Sequence, residues 1–175
     1  REESPFPAIT GTPTFTYTYA NTTNPSLANY MKPTSVVWGG TNASGVAAGG
    51  TIAYGYQNLT PGGSYPYDTA VLKNTVTDRN GNVTEYLLDS AGHTLQIEEK
   101  TRGVRPGDPA SFVTLYRYNS AGLVTETTYP EGNRVVNVYD DANPDVRQRG
   151  NLLRTERYPD VSRGGDQTLI AKIYT

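Results

Sequence analysis

The chain has 175 residues and no cysteine, and His93, Met31 and Trp38 are each the sole residue of their type. Without cysteine there is no disulfide framework and no thiolate zinc site, although an extracellular β-protein requires neither, so the compartment stays open. A single imidazole means that any Ser-His-Asp arrangement must use His93. Long apolar runs are also missing, and no stretch approaches the roughly 20 residues needed to span a bilayer. Arg1-Glu2-Glu3 opens no signal-peptide core and reads as a processed or excised end. Helical periodicity is absent, because proline or glycine interrupts most candidate windows. Net charge is only −2. The basic residues from Arg147 to Arg163 alternate with Asp145, Glu156 and Asp160, which argues against a nucleic-acid or anionic-membrane partner.

What is present is the material of strands and turns. The apolar share is 35%, but 14 Tyr add surface that packs while its hydroxyl stays wet. Together with Thr, Val, 18 Gly and 12 Pro this is an all-β composition. The length allows one domain with a sizeable core, in which Trp38 sits with Val36 and Val37.

A turn signature recurs from the middle onward in TDRNGNV, LDSAGHTL, YNSAGLV and YPEGNRV. Asp78, Asp89 or Asn119 ends a strand-like run, and Gly81, Gly92 or Gly122 follows three places later. This is a hairpin: the Asp or Asn side chain caps a type I turn, and the glycine takes the left-handed conformation that starts the return strand. A second turn, Pro130-Glu131-Gly132-Asn133, closes the other end of a unit. The spacing of 11 residues from Gly81 to Gly92 and 10 from Gly122 to Gly132 marks hairpin repeats.

These residues resemble the RHS or YD-repeat family, whose repeat is roughly G-x(5–9)-Y-D-x-x-G-[RN]-[LV]. The stretch YRYNSAGLVTETTYPEGNRVVNVYDDANPDVRQRGNLLRTERYPD is similar to two consecutive copies. The resemblance covers about Val71 to Asp160. Only Tyr67-Asp68 and Tyr139-Asp140 have the literal dipeptide, and Tyr67-Asp68 lacks the glycine. The resemblance implies stacked antiparallel β-hairpins forming a twisted, curling sheet. It further implies a secreted or cell-surface bacterial protein of the RHS or Tc-toxin-like β-shell or teneurin-like kind, enclosing a toxic cargo or serving adhesion. Structural turn and ladder residues would be Asp78, Gly81, Asp89, Gly92, Asn119, Gly122, Gly132, Tyr139, Asp140 and Gly150. No catalytic residue of the family maps onto the chain, and Asp108-Pro109-Ala110-Ser111 lacks the glycine of the family's self-cleavage motif.

Residues 1–70 are charge-poor and read as degenerate repeats or a small β-subdomain, with strands expected at Thr14–Tyr19, Thr34–Trp38 and Thr51–Gln57. The segment 71–175 carries regular repeats. Its strands are expected at Val71–Thr77, Val83–Asp89, Thr94–Thr101, Phe112–Tyr118, Leu123–Tyr129, Arg134–Asp140, Leu152–Tyr158 and Thr168–Tyr174, with insertions at 102–111 and 141–150. The last strand stops mid-repeat. Both terminal strands thus present half-filled ladders, expected to pair with adjoining repeats of the same polypeptide or with neighbouring copies.

No constellation points to catalysis or a cofactor. His93 follows a turn glycine as Asn82 does, and reads as a turn-flanking polar residue. Asp141, Asn143 and Asp145 alternate like the first calcium ligands of an EF-hand loop, but Val146 replaces the glycine and Leu152 the bidentate glutamate. Glu98 and Glu99 point to opposite faces of a strand and cannot act jointly. Sequons stand at Asn21, Asn42, Asn58 and Asn82. Apart from a scaffold, the residues leave room for a glycan-binding module built on exposed tyrosines, or a self-associating filament subunit.

Overall fold

The computed structural model describes residues 15–39, 49–103, 105–160, 162 and 170–173. Within them lie eleven strands: β1 (Phe15–Tyr19), β2 (Pro33–Trp38), β3 (Gly50–Asn58), β4 (Leu72–Thr77), β5 (Val83–Leu88), β6 (Thr94–Lys100), β7 (Ser111–Tyr118), β8 (Val124–Thr128), β9 (Arg134–Tyr139), β10 (Leu152–Tyr158) and β11 (Ile170–Ile173). They form one sheet in sequence order, and every neighbouring pair is antiparallel. The fold is an open, hairpin-linked meander, all-β as the composition requires. Among the described residues β1 and β11 each have a neighbour on one side only.

The expected strand centres coincide with the observed ones, and the differences lie at the ends. Asp89, Tyr129 and Asp140 stand just outside their strands, because at these places the chain turns over and leaves the ladder. Thr14 of the expected Thr14–Tyr19 strand, Thr168, Leu169 and Tyr174 of the expected Thr168–Tyr174 strand, and the sequon Asn42 lie outside the described residues.

Among the described residues a sizeable core does not form. Among the described residues the buried hydrophobics are Ala70, Leu87 and Leu95, with Leu59, Tyr65 and Tyr118 packed against them. A single-layer meander has no opposing layer on which to bury a face, so most strand side chains remain half-buried. Trp38 is accordingly half-buried rather than a core residue, and Val37 beside it is exposed.

Register assigns the faces. One row runs Gln57, Lys73, Leu87, Gln96, Leu115, Thr128, Arg134, Tyr158 across eight strands. On the other face Tyr56, Asn74, Tyr86, Ile97 and Thr114 align, followed by Tyr116, Thr127, Val135 and Arg157. The first face carries most of the charge and the second most of the aromatic and aliphatic side chains. Among the described residues four register shifts occur, at Thr18/Tyr19, Leu87/Leu88, Arg117/Tyr118 and Leu152/Arg154. Each bulge bends its strand and adds local twist.

Candidate functional site

The turns form the most regular constellation in the molecule. At the first, the Gly81 amide donates to the Asp78 carbonyl at 2.9 Å and the Asp78 amide to the Asn82 carbonyl at 2.9 Å. The Asp78 Oδ1 accepts from the amides of Asn80 and Asn82, both at 2.8 Å, and Oδ2 from the Asn82 side-chain amide at 2.7 Å. These bonds, led by those from Asn82, hold the Asp78 carboxyl below its usual range. Asp89 and Asn119 repeat the pattern: Asp89 caps Ala91 and His93, and Asn119 caps Ala121 and Leu123. In each, the glycine at the fourth position has a positive φ, +78° at Gly81, +87° at Gly92 and +77° at Gly122. A three-residue loop ending in a left-handed glycine matches the right-handed twist of the flanking strands. At the Tyr129 turn Pro130 replaces the polar cap by fixing φ, and Gly132 stands at +86°.

Successive turns lock together through fixed offsets from the glycine. The residue after it packs beneath the next turn on the same end of the sheet. A Cβ placed on Gly122 would lie 2.8 Å from His93 Nε2, and one on Gly150 would lie 3.2 Å from Leu123 Cδ1. The carbonyl two places after the glycine accepts a tyrosine hydroxyl from the next hairpin: Tyr118 donates to Thr94 at 2.9 Å and Tyr139 to Val124 at 3.1 Å. The residue three places after is the extra, unpaired one of a bulge, namely Leu95, Thr125 and Leu153. Bulging disrupts the ladder locally, and the tyrosine hydroxyl occupies the carbonyl beside it. This gives the tyrosine that precedes the Asp or Asn in two of these turns a physical task, which is to staple one hairpin to its predecessor.

The insertion at 141–150 keeps the same closure. The Asp140 amide donates to the Asn151 carbonyl at 2.9 Å, and Gly150 has φ +84° immediately before the return strand. Asp140 therefore corresponds to Asp78, and Gly150 to Gly81, with an excursion between them. Within it Asn143 Oδ1 accepts from the Asp145 amide, Asp145 Oδ1 from the Arg147 amide, and Asp141 from the Asn119 side chain at 2.9 and 3.1 Å. The three acidic-loop oxygens that resemble calcium ligands are thus directed at separate donors rather than at one point. Among the described residues no group of three or more His, Asp or Glu side chains is arranged to hold a metal ion.

His93 donates its Nδ1–H to Asp89 Oδ2 over 2.9 Å and stacks on the Tyr118 ring with centroids 4.6 Å apart. Burial raises the Asp89 pKa, but the hydrogen bonds from His93 outweigh it and leave the carboxyl below its usual range. The imidazole is wedged between its own turn and the next one, as a spacer in the stack.

The charged face holds a second constellation. Glu85 and Glu98 are directly opposed across β5 and β6, a like-charge pair that is destabilising in isolation. Lys100 bridges them at 3.2 and 2.7 Å, and Lys73 adds a contact to Glu85 at 3.2 Å. Burial opposes ionisation of Glu85, but the lysine hydrogen bonds prevail and lower its pKa; at Glu98 the bonds from Lys100 and Ser111 do the same. Further along, Glu126 takes Arg117 at 3.7 Å and Arg134 at 3.1 Å, and Arg134 lies over the Tyr158 ring at 4.2 Å. The Tyr158 hydroxyl donates to Glu156 at 2.7 Å, and Arg154 pairs with that carboxylate. Glu99 lies on the opposite face, aligned with Thr84 and Phe112.

Sequence reasoning missed the bulges, the tyrosine staples and the ion-paired ladder. The signal for the first two was available as fixed offsets from each turn glycine. The ladder depends on register across strands, and no local pattern shows it. Neither a family model nor a curated protein matches the chain.

Proposed function

We propose that the chain is a wall section of a secreted or surface-exposed bacterial protein of the RHS or YD-repeat type, a scaffold with no catalysis of its own. The observation that carries this reading is the offset rule at the turns. The hairpins that turn at Gly92, Gly122 and Gly150 are joined in succession by a glycine, a packing residue, a carbonyl and a tyrosine hydroxyl that reach only the adjacent hairpin, so area is added one unit at a time. Residues 1–70 belong to the same array as degenerate repeats with longer loops, since β1 to β3 continue the same meander. The partners in this reading are adjoining repeats or neighbouring copies at the β1 and β11 edges, and a cargo enclosed by the wall.

The test is a mass measurement with limited proteolysis of the native polypeptide. A scaffold section lies inside a protease-resistant span well beyond these 175 residues. A native polypeptide of this chain alone, folded and monomeric, would overturn the reading.

A second reading, a glycan-binding adhesin module, is favoured by one feature. A groove of about 770 Å³ is lined by Phe112, Tyr129, Pro130, Tyr158 and Pro159 with Arg157 at its side, and Phe112 and Tyr129 are exposed. Flat aromatic faces beside hydrogen-bonding groups suit a sugar ring. Saturable binding on a glycan array, abolished by Tyr129→Ala, would favour the adhesin over the scaffold.

A further inference from the structure

We propose that β1 is a self-association edge whose partner is β1 of a second copy of this chain, paired antiparallel about a two-fold axis at Tyr17. The proposal rests on the reading of the open edges as pairing surfaces, and it names the partner for one of them. Among the described residues β1 has β2 on one side and no strand on the other. All five of its residues are exposed, with Phe15, Tyr17 and Tyr19 at 64%, 54% and 58%.

The strand reads Phe-Thr-Tyr-Thr-Tyr, which is nearly the same in both directions. An antiparallel register centred on Tyr17 sets Phe15 opposite Tyr19 of the second copy, Thr16 opposite Thr18, and Tyr17 opposite its own counterpart. Directly opposed residues share a face, so every aromatic meets an aromatic and every threonine a threonine. A slip by one residue would mix the two sets on each face. The two-fold axis closes the assembly at two copies, because each β1 edge is consumed by the other.

Charge permits this pairing at β1 in particular. Native edges are protected by lysine, proline or a bulge on the edge strand itself. β1 has no ionised residue and no proline, and neither β2 nor β3 behind it carries a charge. The bulge at this end places its extra residue, Thr34, on β2, so the spacing along β1 stays regular. The opposite edge, β11, includes Lys172.

The experiment is sedimentation velocity on the 175-residue chain over a wide concentration range, with Tyr17→Lys and Tyr17→Glu variants. The parent should show a monomer–dimer equilibrium that stops at two copies. Either charged variant alone sets like charges directly opposite and should raise the dimer dissociation constant about tenfold or more. An equimolar mixture of the two should restore the dimer. Unchanged far-UV circular dichroism would show that each variant keeps the sheet. A parent that stays monomeric at every concentration overturns self-pairing while leaving the scaffold reading intact, since an adjoining repeat can fill the same edge. Open-ended polymers, or charged variants that dimerise as well as the parent, also overturn it.

Discussion

Replacing Gly122 by alanine separates the two tasks that a turn glycine performs in this sheet. Gly92 and Gly122 share the same turn geometry, with φ of +87° and +77°. Alanine at either position meets the left-handed penalty, about 1–2 kcal/mol. Beyond that the two sites differ. Nothing lies within 4 Å of a Cβ on Gly92, whereas one on Gly122 stands 2.8 Å from His93 Nε2. The imidazole has little room to retreat, because Asp89 holds its Nδ1 at 2.9 Å and Tyr118 stacks on its face. Moving it costs a further ~1–3 kcal/mol, the range for overpacking. Gly122→Ala should therefore lower the urea midpoint about twice as far as Gly92→Ala, followed by far-UV circular dichroism. Adding His93→Ala should recover the excess at Gly122 and leave the Gly92 effect unchanged. Equal losses at the two glycines, or no recovery in the double variant, would refute the idea that the residue after one turn glycine wedges beneath the next.

Tyr118→Phe should destabilise by ~1 kcal/mol, because it leaves the Thr94 carbonyl beside a bulge without its hydroxyl donor. Tyr139→Phe should destabilise by less, because the Asn137 side-chain amide still donates to the Val124 carbonyl; Tyr129→Phe, at an exposed turn, serves as the control in the same urea titration. The paired glutamates make stability acid-sensitive. Glu85 and Glu98 titrate below their ordinary value of 4.5 when folded, so their contribution is full above that value and is lost as pH falls through the depressed folded pKa values. The urea midpoint should drop over that window, and Glu98→Gln should flatten the drop; a flat profile in the parent would count against the ladder. Lys100→Ala should cost more than removal of an ordinary surface ion-pair partner, because it leaves Glu85 and Glu98 opposed without the cation between them. Thermal melts of Lys100→Ala beside Arg154→Ala, which removes the partner of the single carboxylate Glu156, test this.

The strands and turns were legible because their causes are local. Alternation in TFTYTYA, and an Asp or Asn three places before a glycine, act within a few residues, and each sets one strand or one turn. What joins the hairpins was not legible. Glu85 meets Glu98 only through register, and Lys100 reaches both because β5 and β6 are neighbours with a bulge at Leu95. The core was misjudged for a related reason. Chain length bounds how much surface a compact domain can bury, but an open meander without a second layer leaves most of its strand side chains half-buried. Trp38, preceded by two valines, has the local sequence of a core residue and the position of a sheet-face residue. His93 was placed correctly beside its turn, while its stacking partner, 25 residues further on, could not be seen from the turn alone.

The excursion between Asp140 and Asn151 has a practical consequence. Its two ends are joined by the same amide-to-carbonyl bond that closes the tight turn at Asp78 and Asn82, and the left-handed glycine stands in the same place before the return strand. The strands on either side therefore do not register how much chain passes between those two residues. Such a turn is a socket. Foreign loops grafted between Asp140 and Gly150 would be carried at the rim of the sheet with β9 and β10 undisturbed, and successive rims of this kind would display inserts in a row at the spacing of the hairpins.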